Sequence, residues 1–257
     1  MLKKRLIFVL YFDSGYFFLS RNFRLQKVGD INWLIDKFRF KTIGSFIDEI
    51  VILNVNRNDN AAKCSNPEFT SSVTRLMKEN FIPLTIGGGV RSIEDAQRCF
   101  ALGADKILLN SPLIEAPDFV YKCITTFGAQ AVIGAIDVIK ENRIYQTKIK
   151  NAQMTGLVLT DHIKTINSLG VGEVFLNSIE RDGTGTGFDL NLLEYCKELK
   201  MPLILAGGAG KPEHFVEALS SPKVQAVATG HLFNFMGKGF ESSRNFISAQ
   251  GFPIRNI

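Results

Sequence analysis

The chain has no run of about 18 consecutive apolar residues, so no membrane-spanning helix is expected. Cysteines are few and scattered. Cys64, Cys99, Cys123 and Cys196 form no CxxC pair and show no metal-ligand spacing. That argues against a disulfide scaffold or a bound metal and reads as reduced thiols in a cytoplasmic protein. A basic patch is missing as well. The net charge of +5 is spread along the chain without interleaved aromatics, so nucleic acid is not an expected partner. The first residues, Met1-Leu-Lys-Lys-Arg-Leu-Ile-Phe-Val-Leu, place charge before apolar residues as a signal peptide would. The apolar stretch breaks at Asp13 and no small-residue cleavage site follows, so this segment reads as a buried first strand. No linker or low-complexity stretch divides the 257 residues. A single domain over residues 1–257 is expected. Nothing in the composition calls for a cofactor.

What is present is a repeating alternation. Short runs rich in Val, Ile, Leu and Phe lie at about residues 5–11, 48–54, 82–86, 105–109, 131–137, 172–178, 201–206 and 224–229. Such runs suit strands buried on both faces of a parallel sheet. Helix-like segments fall at about 31–40, 67–80, 92–102, 117–127, 157–169, 189–199 and 212–220. Eight strands alternating with helices predict either a (β/α)8 barrel or a doubly wound sheet. An internal repeat favours the barrel. Ile82-Pro-Leu-Thr-Ile-Gly-Gly-Gly parallels Met201-Pro-Leu-Ile-Leu-Ala-Gly-Gly, with Pro83 and Pro202, Gly88 and Gly207, and Gly89 and Gly208 each 119 residues apart. Glu49-Ile-Val-Ile-Leu-Asn-Val-Asn-Arg-Asn similarly parallels Glu173-Val-Phe-Leu-Asn-Ser-Ile-Glu-Arg-Asp, pairing Glu49 with Glu173 and Arg57 with Arg181. Two matching halves of about four βα units close into an eight-stranded barrel.

In a barrel the loops after the strands carry the chemistry. Gly87-Gly88-Gly89 follows strand 3 and Gly207-Gly208 follows strand 7. Glycine there lets backbone N–H groups approach an anion, although tight turns use glycine too. Strands 4 and 8 end in Asn110-Ser111 and Gly230-His231. A helix after each would favour a phosphate at its N-terminus. Asp137 is the lone acid in Ala131-Val-Ile-Gly-Ala-Ile-Asp-Val and ends strand 5, the place for a general acid or base, or for a carboxylate capping the next loop. Polar loops at 56–66 and 180–187 fall on the same face, the second containing Asp182-Gly183-Thr184. At the opposite strand ends stand Arg5, Glu49, Lys106 and Glu173, read either as solvated ends or as a charged ring around the bottom opening.

These residues resemble the imidazole glycerol phosphate synthase cyclase subunit family, HisF, over nearly the whole chain. The resemblance is carried by Pro83-Leu-Thr-Ile-Gly-Gly-Gly-Val-Arg-Ser-Ile-Glu-Asp-Ala, Gly103-Ala-Asp-Lys-Ile, Arg181-Asp-Gly-Thr-Gly, Gly207-Gly-Ala-Gly-Lys-Pro-Glu-His-Phe and Gly251-Phe-Pro-Ile-Arg. It implies a glutaminase partner docked on the bottom face. Ammonia would enter through a gate at Arg5, Glu49, Lys106 and Glu173, with Asp105 helping to dock the partner. A phosphorylated small-molecule ligand would be held at Gly88, Gly89, Asn110, Ser111, Asp182, Gly183, Gly207, Gly208, Gly230 and His231. The family's cyclase chemistry uses two aspartates, ending strands 1 and 5. Asp137 matches the second, but Tyr11 stands where the first belongs. A phenol of ordinary pKa about 10 is a poor base near neutrality and adds bulk to the site. Asp13, two residues further on, points the same way along a strand and is a candidate substitute. Leu19 replaces a lysine of the first loop, Asn54 an acid, Ala206 a serine, and His231 a small hydroxyl residue. The segment Leu232-Phe-Asn-Phe-Met-Gly-Lys-Gly also resembles a HisF-like subfamily found beside sugar amidotransferases of surface-polysaccharide synthesis. The expectation is therefore an ammonia-conducting barrel serving sugar amidation. A genuine cyclase of histidine biosynthesis and a non-catalytic scaffold that activates the glutaminase are the alternatives.

Overall fold

A computed structural model of the chain describes residues 3–37, 40–56, 63–78, 80–149, 153–230 and 238–255. Eight parallel strands close into a barrel. They are β1 (Arg5–Asp13), β4 (Glu49–Asn54), β5 (Leu84–Gly87), β6 (Lys106–Leu109), β7 (Val132–Glu141), β10 (Glu173–Ser178), β11 (Leu203–Ala206) and β12 (Val224–Thr229). Each pairs with the next, β7 pairs directly with β10, and β12 returns to β1, so no barrel strand is left with an unpaired edge. All eight strands lie where the apolar runs predict them.

Alternation along the strands sorts residues between two cores. In β1, Leu6, Phe8, Leu10 and Phe12 face outward and pack under the helices. Ile7 and Val9 face inward with Val51, Leu108, Ile133, Ala135, Phe175 and others, and Tyr11 packs against this inner cluster. Both faces are buried, which explains the near-continuous apolar runs. Arg5, Ile7, Val9 and Tyr11 therefore form one inward column running from the bottom of the barrel to its top.

Helices α2 (Pro67–Met77), α3 (Ile93–Ala101), α5 (Pro117–Phe127), α6 (Leu159–Leu169) and α8 (Pro212–Leu219) fall on predicted segments. Local signals start two of them. Asn66 accepts from the Phe69 N–H ahead of α2, and Ser92 with Asp95 forms a reciprocal capping box on α3. The segment 31–40 is helical at each of its described residues, mostly as a π-helical turn, Trp33–Lys37, with α1 (Phe40–Gly44) opening at its end. One expectation needs correction. The segment 189–199 forms only the short helix α7 (Leu192–Tyr195), because its flanks close into i→i+3 turns such as Leu192 N–H to Asp189 O and Leu199 N–H to Cys196 O. Helices α4 (Pro112–Glu115) and α9 (Gly239–Ala249) are additional.

Two hairpin extensions were not foreseen. β1 runs on into the antiparallel strands β2 (Tyr16–Arg21) and β3 (Arg24–Gly29). β7 runs on into β8 (Ile144–Ile149) and β9 (Gln153–Val158). They occupy equivalent places, after strands 1 and 5 of the barrel, so the two-fold repeat extends beyond the residues that match in sequence. Two-residue turns join them: Ser14-Gly15, Asn22-Phe23 and Asn142-Arg143, all with positive φ at both positions.

Candidate functional site

The bottom of the barrel closes on a ring of alternating charge. Arg5 (β1) bonds Glu49 (β4) at 2.5 Å and makes a forked contact to both oxygens of Glu173 (β10). Lys106 (β6) reaches the same two carboxylates, Glu49 at 3.2 Å and Glu173 at 2.6 Å. The predicted four residues are thus brought into mutual contact, each cation shared by both anions. All four side chains are no more than 21% exposed. Burial raises the cost of charge on Glu173, yet Arg5 and Lys106 hold its carboxyl below the usual range. Burial likewise works against the Arg5 cation, and the two glutamates more than offset it. Asp105 is exposed on this face and accepts the Leu84 N–H at 2.8 Å, so it also braces the start of β5. Nearby, Phe81 is 98% exposed just before that strand.

At the top, Asp137 is gripped from both sides. The Asn110 side-chain amide donates to Oδ2 at 3.1 Å, and the Asn177 amide donates to Oδ1 at 2.9 Å. Register places Asn177 directly beside Asp137 across the β7–β10 pair. Burial pushes the Asp137 carboxyl up to about 7. The Asn177 hydrogen bond opposes this, and the Asp182 charge adds to it. A carboxyl poised there can give or take a proton near neutral pH. Tyr11 sits above Val9 in the inward column. Burial first, then the Asp182 and Asp137 charges, hold its phenol well above its ordinary value, so it stays a neutral O–H donor. Asp13 stands two residues higher, at the end of β1 just before the hairpin turn, where it accepts from the Ser14 hydroxyl at 2.9 Å and pairs in register with Tyr16.

Asp182 is tied to the first hairpin. Its carboxylate accepts from the Ser20 hydroxyl at 2.5 Å and the Phe23 N–H at 3.2 Å, while its carbonyl accepts the Asn22 N–H at 2.9 Å. Burial raises its pKa, and these donors oppose that rise. The hairpin is thereby strapped across the strand-6 loop. Leu19 lies buried within it.

The glycine pair repeats in space as in sequence. A Cβ on Gly88 would lie 2.0 Å from the Asn54 carbonyl oxygen ending β4, and one on Gly207 would lie 2.6 Å from the Ser178 carbonyl oxygen ending β10. Both also have positive φ. Close backbone packing therefore requires glycine at both places, whatever ligand their N–H groups meet. Ser111 precedes α4 without a side-chain cap bond. His231, and Arg57 of the second repeat, lie outside the described residues.

Beside the second glycine loop, Gly207-Gly208, is a cavity of about 20 Å³, lined in part by Tyr11, Ser20, Asn177, Asp182, Thr229 and Gly230. It has room for about one water molecule. None of the described residues lining it is a lysine, arginine or histidine. Sequence reasoning missed Ser20, because its hairpin was unforeseen. It also missed Asn177, whose signal was a polar Asn-Ser pair closing the apolar run Val174-Phe-Leu. Among the described residues, no cluster of three or more His, Cys, Asp or Glu side chains could hold a metal ion, and no helix is long and apolar enough to cross a membrane.

Residues 41–238 match the histidine biosynthesis protein family. The chain is 40% identical to a protein of Parasynechococcus marenigrum provisionally named imidazole glycerol phosphate synthase subunit hisF2, over 95% of this chain and 90% of that one. It is 30% identical to the imidazole glycerol phosphate synthase subunit HisF of Chlorobium limicola, over 99% of this chain and 100% of the other. It is 36% identical to the subunit of the same name from Pyrobaculum aerophilum, over 81% of each.

Proposed function

The chain belongs to the histidine biosynthesis protein family and within it to the imidazole glycerol phosphate synthase subunit HisF family, and from that premise we propose that it is the ammonia-conducting barrel of a glutamine amidotransferase complex. A glutaminase docks on the bottom face, around the charged ring and Asp105. Ammonia enters through Arg5, Glu49, Lys106 and Glu173, follows the inward column and leaves at the top for a separate sugar amidotransferase. The protein works in the cytoplasm. One contrast carries this reading. The four-charge ring is complete and closed, whereas the top keeps only one of two acids, with a neutral phenol in place of the other.

The test is reconstitution with the glutaminase and nitrogen-labelled glutamine. Label should reach the sugar product when the amidotransferase is added. With the phosphoribulosyl-formimino aminoimidazole carboxamide ribonucleotide instead, little imidazole glycerol phosphate should form. Robust turnover of that substrate would overturn the reading and favour a true cyclase. One observation favours that second reading: Asp137 is clamped by two amides and titrates near 7, as a working general acid or base would. Failure of label to reach any product, with glutaminase activity still raised, would leave only a scaffold.

A further inference from the structure

We propose that Tyr11 determines what the top-face site admits. Its ring fills the space beside the second glycine loop and limits that space to one molecule of ammonia or water, so the site shuts out the two-phosphate ligands its glycine loops could otherwise take. The proposal rests on the barrel reading above for the ammonia and on the geometry and charge of the cavity for the exclusion.

Three observations lead here. The first is placement. Tyr11 is the top residue of the inward column and lies beside Leu53 of β4 and opposite Phe18 of β2. Its ring reaches to the start of the strand-8 loop, with Cε2 3.7 Å from where a Cβ on Gly230 would stand. The second is room. The remaining cavity of about 20 Å³ meets the requirement for one water and falls short of a phosphate with its sugar. Ser20 and Gly183 line its hairpin side, where the hairpin backbone is so near that a Cβ on Gly183 would meet the Ser20 carbonyl oxygen at 2.0 Å. The third is charge. Asp182 lines the cavity, Asp137 acts on Tyr11 from below the rim, and no cation among the described residues lines the space. Two carboxyls, with no cation among the described lining residues, repel a bisphosphate and suit a small hydrogen-bonding base or its cation. The Tyr11 hydroxyl can donate to the ammonia lone pair. The Asn177 amide donates its N–H to Asp137, which leaves its oxygen, beside Gly207, to accept from ammonia.

The probe is ribulose 1,5-bisphosphate, titrated calorimetrically into the full chain at pH 7.5, with folding of each variant checked by circular dichroism. The wild type and Tyr11→Phe, which keeps the ring, should show no saturable binding up to millimolar probe. Tyr11→Ala should bind about tenfold tighter or better, and Tyr11→Leu serves where the alanine variant does not fold. Saturable binding by the wild type or Tyr11→Phe overturns the proposal, as does a folded small variant that gains nothing. Ammonia delivery is read separately from labelled glutamine in the wild-type complex. If label is lost while the probe is still excluded, the delivery reading fails and Tyr11 keeps its role. If the wild type binds the probe and still delivers label, the reverse holds.

Discussion

Replacing Asp137 by asparagine should make the protein more stable above neutral pH and leave it little changed in acid. The carboxyl has an ordinary value of 3.8 and is pushed up to about 7 in the folded chain. Below about pH 4 it is neutral in both folded and unfolded states and contributes nothing. Between about pH 4 and 7 the folded state holds a proton the unfolded state has released, so stability falls as pH rises. Above about 7 the full penalty applies, about 4 kcal/mol for a displacement of this size. Asp137 retains some solvent contact, and screening brings the figure to about 2–3 kcal/mol. An asparagine keeps the shape but has one oxygen, so either Asn110 or Asn177 must turn its amide. Asn177 is free to do so more readily, because the Asn110 amide also donates to the Ala135 carbonyl. The net gain expected at pH 8 is about 2 kcal/mol, or about 4–8 °C in melting temperature for a chain of this length. The assay is thermal and urea denaturation at pH 5 and pH 8 for both proteins. Equal stability gaps at the two pH values would refute the reasoning, because the penalty would then not come from charging a buried carboxyl.

The remaining predictions concern the ring, the hairpin and one buried imidazole. Lys106→Glu places a third carboxylate against Glu49 and Glu173; it should cost about 3–5 kcal/mol in urea unfolding. In the complex it should let glutamine hydrolysis continue while labelled nitrogen stops reaching product, and unchanged transfer would remove the ring from the ammonia route. Ser20→Ala removes the hydroxyl that bonds buried Asp182, so amides of β2 and β3 should exchange faster by about tenfold while the barrel strands keep their protection. His162, on the inner face of α6, is fully buried, and neither ring nitrogen has a hydrogen-bond partner among the described residues. Burial lowers its pKa to about 4. The unfolded chain takes up a proton first as pH falls below about 6.5, so stability is lost from there toward 4. His162→Leu should therefore be more stable by about 2 kcal/mol at pH 5, with a smaller gain at pH 7.5, and an equal gain at both would refute the assignment.

Much of this protein could be read from its residues in order. The eight apolar runs announced the barrel strands, because a strand buried on both faces must be apolar throughout. The repeated Gly88 and Gly207 announced equivalent turns, because in each half the preceding strand's last carbonyl leaves no space for a Cβ. Arg5, Glu49, Lys106 and Glu173 stood out as charges at strand starts. Other features arose only from the closed structure. The hairpins after β1 and β7 were hidden because two of their turns, Asn22-Phe23 and Asn142-Arg143, lack the glycine that usually marks positive φ. The grip of Asn177 on Asp137 depends on strand register, and the bond from Ser20 to Asp182 joins residues 162 positions apart. Composition established which groups could be charged. Burial and long-range contact decided which carboxyl titrates near neutrality, which phenol stays protonated, and how little space remains beside the second glycine loop.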